Sequence, residues 1–67
     1  MRVHIFRGTN GVVGVTQDQR GLNLPDGPGP WQYWKEADLQ AGEPLIGVDV
    51  ADAINDINTK TYHLTKP

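Results

Sequence analysis

The chain has no cysteine and no serine among its 67 residues. The first absence removes disulfides and thiolate metal sites, which are the usual staples of a domain this small. The second leaves threonine and tyrosine as the only hydroxyl nucleophiles, and neither has an evident base at a recognisable spacing. Long hydrophobic runs are missing too. The start, MRVHIFRG, holds no apolar stretch of signal-peptide length, and no run anywhere approaches the ~20 residues that span a bilayer. The expectation is a cytoplasmic chain with no membrane partner.

Positive charge is scarce after residue 35. Arg2, Arg7, Arg20 and Lys35 face only Asp18 and Asp26, a balance of +2, whereas residues 36–67 set six acids against Lys60 and Lys66, a balance of −4. No basic residue interrupts the stretch from Glu36 to Thr59, and such a face would repel a phosphate backbone. The 21 large apolar residues suffice for one small core, not for a core around a deep cavity. A chain this short buries only about 60% of the surface it exposes when unfolded. One domain over residues 1–67 follows, with no bound cofactor expected.

Two β-branched runs, VHIF and VVGV, flank RGTNG. Asn10-Gly11 is a strong hairpin signal, since a type I′ turn needs positive φ at both central positions. Placing the turn there pairs Thr9 with Val12, Gly8 with Val13, Phe6 with Val15 and Ile5 with Thr16. One face then carries His4, Phe6, Val13 and Val15, and the other Val3, Ile5 and Val12. Both faces are apolar, so both need a cover.

From Gln17 to Pro30 periodicity disappears and turn residues gather. This predicts a long loop, stiffened by Pro25, Pro28 and Pro30, with Leu22 and Leu24 tucked inward. WQYWKEADL then alternates like a strand, with Trp31, Tyr33 and Lys35 to one side and Gln32, Trp34 and Glu36 to the other. Regular alternation forbids Trp31 and Trp34 from sharing a core layer, so one of them meets the long loop or another chain. LIGV is a short strand or an extended lead-in. Asp49 is placed to cap a helix reaching about Thr59, with Asp52 at the third helical position and an apolar stripe of Val50, Ala53, Ile54 and Ile57. TYHLT closes the chain as a strand. The order β-β-β-(β)-α-β describes an α+β fold, a curved antiparallel sheet of three to four strands with one helix on one face.

One helix covers only one face of that sheet. The second face is assigned to the Leu22–Pro30 loop, helped by a weak homodimer contact at an edge strand.

The richest functional signal is the segment PDGPGPWQYW. A Pro/Gly-stiffened edge beside aromatics suits a protein or peptide partner, and Pro28, Pro30, Trp31, Tyr33 and Trp34 are the candidate contacts. Aromatics also dominate small cores, which is the competing explanation for the same residues. A nucleic-acid interface through Arg2, Arg7 and Arg20 is the alternative. It is disfavoured by the acidic second half and the lack of a basic cluster. His4 and His63 would serve a metal or acid-base enzyme only if their strands were neighbours, and a third ligand is not visible. The spacing G-x-x-G-x-x-G at Gly8, Gly11 and Gly14 fits no phosphate loop, and is assigned to the turn and to close packing. The reading reached is a non-enzymatic binding or adaptor module.

Gly11→Val tests the turn. A β-branched side chain at positive φ costs roughly 1–3 kcal/mol, several degrees of melting temperature in a domain this size, and an unchanged melting temperature would place the turn elsewhere.

Overall fold

The two β-branched runs form the centre of the molecule. In the computed structural model, which describes residues 1–43 and 48–66, they are strands β1 (Arg2–Arg7) and β2 (Val13–Thr16). Strand β3 (Gln32–Asp38) lies beside β1, helix α1 (Val50–Lys60) follows, and β4 (Tyr62–Thr65) lies beside β2. The antiparallel sheet runs β3-β1-β2-β4. This is the expected α+β arrangement of a four-stranded sheet and one helix. Of the segment LIGV only Val48 lies within the described residues, where it forms an isolated bridge. Among the described residues no helix is long and apolar enough to cross a membrane.

The turn falls where expected, with Asn10 at φ 58 and Gly11 at φ 77. The pairing does not. Val12 donates its amide to the Thr9 carbonyl at 3.1 Å, as the turn requires, but Thr9 turns its own amide away to the Pro28 carbonyl at 2.7 Å. Gly8 takes its place, donating to Val12 at 2.8 Å. The ladder is thereby displaced by one residue, so Ile5 opposes Val15, Phe6 opposes Gly14 and Arg7 opposes Val13. A one-residue slip exchanges the faces of one strand relative to the other. The expected faces are therefore corrected: Val3, Ile5, Val13 and Val15 share one face, and His4, Phe6, Gly14 and Thr16 the other.

The face that gathers Val3, Ile5, Val13 and Val15 receives the helix. Asp49 caps α1 by accepting the Asp52 amide at 3.1 Å, satisfying one of the donors that a helix start leaves open. Val50, Ala53 and Ile57 then recur on one side and are buried against Val3, Ile5, Val13, Val15 and Leu39, with Ile54 half-buried at the margin. An eleven-residue helix is about 16 Å long. It covers this one face and no more.

The second face receives the long loop. Leu24 is buried over Gly14, and Gly21 passes so close to the Phe6 ring that an added Cβ would sit 2.9 Å from it. Leu22 is a correction, since it is 74% exposed. The Asp18 carboxylate accepts the amides of Arg20 and Leu22, at 2.9 and 3.1 Å, and winds the chain into a tight turn that presents Leu24 inward and Leu22 outward. The fully buried Thr16 donates its hydroxyl to Asn23 Oδ1 at 2.7 Å, and Asn23 Nδ2 donates to the Thr61 carbonyl at 2.9 Å. These bonds tie sheet, loop and helix end together.

Helix α1 ends on Thr61 in the left-handed conformation, φ 75. Glycine is the residue that adopts this geometry without a Cβ penalty. Thr61→Gly keeps the carbonyl that Asn23 uses and should raise stability by about 0.5–1 kcal/mol. A denaturant midpoint unchanged or lowered would show that the cap is not strained.

Candidate binding site

The two tryptophans have opposite fates. Trp31 is folded against the hairpin, its indole N–H donating to the Pro25 carbonyl at 2.8 Å. Its ring lies on glycine: a Cβ on Gly14 would meet it at 3.1 Å and Leu24 at 3.0 Å, and one on Gly8 would collide with it and with the Pro28 carbonyl. Gly8 and Gly14 are thus the seat of Trp31, and close packing is the role of these two members of the glycine series. Pro28 belongs to the same seat, its carbonyl receiving both the amide and the hydroxyl of Thr9, at 2.7 and 3.1 Å. Of the five expected contact residues, Trp31 and Pro28 are therefore built into the fold, and Pro30 is exposed beside them.

Trp34 owes its position to an irregularity in β3. Ile5 pairs with Lys35 but Phe6 pairs with Tyr33, so Trp34 is an extra residue with no partner on β1. Such a bulge breaks the alternation of side chains and re-aims one of them. The regular alternation expected for this strand is corrected accordingly. Tyr33 lies on the loop-covered side, with its ring edge-on to Phe6 (centroids 5.3 Å apart) and its hydroxyl 3.1 Å from His4 Nδ1. Lys35 and Trp34 belong with the helix side instead. The Trp34 ring has the Arg7 guanidinium 4.0 Å from its centroid and the Lys35 ammonium 4.4 Å from it.

Trp34 remains 44% exposed and borders a groove of about 310 Å³ lined by Arg7, Gly8, Gly11, Val12 and Val13. A Cβ on Gly11 would meet nothing within 4 Å, so the rim is open there, and Val12 and Val13 supply an apolar floor. Lys35 and Val12 were not among the expected contacts. Lys35 could have been suspected from its place next to Trp34, but the bulge that brings it to the same side has no sequence signature.

The remaining candidates do not converge. Arg2 is engaged with Glu36, Nη1 to Oε1 2.6 Å, and lies roughly 16 Å along β1 from Arg7 and on the opposite side of the sheet. Arg20 lies in the turn held by Asp18. The histidines are on opposite faces as well: His4 is level with Thr16, whereas His63 pairs with Val15, one residue along and so on the helix side. His63 is buried there, its Nδ1 2.8 Å from Asp56 Oδ2. Each imidazole thus has its own partner, Tyr33 or Asp56. Among the described residues no three metal-ligating side chains meet.

The chain matches no known protein-family description, and no curated protein or solved structure shows significant similarity to it.

The Asp56–His63 pair ties α1 to β4 and makes stability depend on acid. The hydrogen bond from His63, aided by Lys60 and opposed by partial desolvation, holds the Asp56 carboxyl below its ordinary value. A group depressed in the folded state stabilises above its unfolded pKa and loses that contribution as pH falls through the folded value. Asp56→Asn should therefore lower the denaturant midpoint at neutral pH, with the gap closing as the pH falls through and below the ordinary aspartate range. A gap that stayed constant with pH would show that the carboxylate charge is not what matters.

Proposed function

We propose that this protein is a non-enzymatic binding module that takes an extended segment of a protein partner along β3, with Trp34 as the anchor. The observation that carries this reading is the exposed Trp34 ring, lifted out of the ladder by the bulge and bordering a groove with an apolar floor. Tryptophan and arginine are the residues on which interface energy concentrates, and here they are stacked before any partner arrives. A pre-arranged site loses less entropy on binding.

Strand β3 supports the same reading. Among the described residues it is one edge of the sheet, its seven residues nearly all exposed. An edge of this kind accepts an added strand through main-chain hydrogen bonds, with side-chain pockets giving selectivity. Its charged residues, Lys35, Glu36 and Asp38, also guard it against indiscriminate pairing, leaving a partner of suitable charge as the one admitted. The separation of His4 from His63, each with its own partner, favours binding over acid-base chemistry.

Trp34→Ala and Trp31→Ala distinguish the two aromatic roles. Peptides selected from a displayed library on the wild-type protein should lose about 2 kcal/mol, roughly thirtyfold in affinity, on Trp34→Ala, while that variant keeps its melting temperature. Trp31→Ala should lower the melting temperature instead. Selected peptides that bind Trp34→Ala as tightly as wild type would end the proposal.

A further inference from the structure

The groove at Trp34 also has a charge, and the charge names a class of partner. Arg7 and Lys35 both sit within 4.4 Å of the ring centroid, and among the described residues neither has a carboxylate within ion-pair distance. Of the other side-chain cations, Arg2 is paired with Glu36 and Lys60 lies 4.0 Å from Asp56. Among the described residues Arg20 and Lys66 stand alone and away from any aromatic ring. Two unpaired cations thus lie around one exposed aromatic ring, beside a groove with no acidic residue in its lining.

Resting on the binding-module reading above, we propose that the segment bound at this site is acidic, with a carboxylate of the partner facing Arg7 and Lys35 and an apolar side chain two residues away lying on Trp34. Three features of the geometry support this. The guanidinium is a planar fork that matches a carboxylate, and charge-assisted bonds of this kind are stronger than neutral ones. Stacking on Trp34 fixes the plane of that fork in advance. In a strand added along β3, side chains two residues apart fall on the same face about 6.6 Å from each other, the spacing needed to put one on the ring and the next beside its flanking cations. A carboxylate entering here also answers the like-charge repulsion between Arg7 and Lys35, so the cations bind it without breaking any ion pair of their own.

The test uses the full chain and three capped octapeptides with threonine at every second position and, at the positions between, valine alternating with glutamate, glutamine or lysine, so that valine and the varied residue share a face two residues apart. Binding is followed through the two indole N–H signals in NMR. Trp31, bonded to Pro25, serves as the internal control for an intact fold. The glutamate peptide should shift the Trp34 indole and bind about tenfold or more tighter than the lysine peptide, with added salt weakening it. The double variant Arg7→Glu/Lys35→Glu, which alters two exposed side chains, should reverse that order. Equal binding of all three peptides would overturn the acidic partner and leave the module reading standing. No shift with any peptide would overturn both. Tighter binding of an oligothymidylate than of the glutamate peptide would overturn it in favour of nucleic acid, and Trp34 shifts that depend on protein concentration alone would assign the site to a second copy of this chain.

Discussion

The amide of Thr9 bonds to Pro28 and not across its own hairpin, and the layering of the molecule depends on that choice. With Thr9 withdrawn, Gly8 closes the hairpin and β1 and β2 pair one step out of the simplest register. Every residue of one strand then changes its neighbours on the other. Valine and isoleucine collect on one side, where they can meet the helix stripe, and the two small positions, Gly8 and Gly14, come to the other. The latter side is where the Pro-rich loop must lie, and Trp31 fills the space that glycine leaves. The bond from Thr9 to Pro28 therefore anchors the loop and sets the face that the loop covers.

This coupling explains how a chain without disulfides orders so long a loop. The proline-rich segment is stitched by an indole N–H, the Asp18 carboxylate and the Thr16–Asn23–Thr61 chain, each of which satisfies backbone or side-chain groups that burial would otherwise leave unpaired. Prolines at three positions lower the entropy lost when it orders. The loop is the second cover of the sheet, and the molecule is a sheet held between a helix and a loop.

The bulge in β3 divides the aromatics of this strand between the two sides of the sheet. Trp31 and Tyr33, before it, lie on the loop side and make hydrogen bonds there. Trp34 and Lys35, at and after it, lie on the other side beyond the reach of a helix that is only three turns long. The helix is too short to shield Trp34, and the ring is stabilised by cations in its place. Such contacts are worth on the order of 0.5–1 kcal/mol at exposed sites, enough to orient a side chain but not to bury it.

Much of the fold is local chemistry and was legible in the residue string. Asn10-Gly11 specifies a turn with positive φ, Asp49 caps a helix, and Val50, Ala53 and Ile57 recur at helical spacing, because each depends on neighbours within a few residues. The separation of Trp31 from Trp34 into different layers was legible for the same reason, as was the service of Gly8 and Gly14 in close packing. Leu22 was misplaced because the carboxylate of Asp18, four residues earlier, decides which way its turn faces. What only the tertiary structure decided is register: the displacement of β1 against β2 depends on a carbonyl nineteen residues away in sequence, and the extra residue in β3 depends on how Ile5 and Phe6 are engaged across the ladder. The groove at Trp34 is made by both. Its residues come from three strands and a turn, brought together by hydrogen bonds between segments distant in sequence, and no periodicity within any one segment records such bonds.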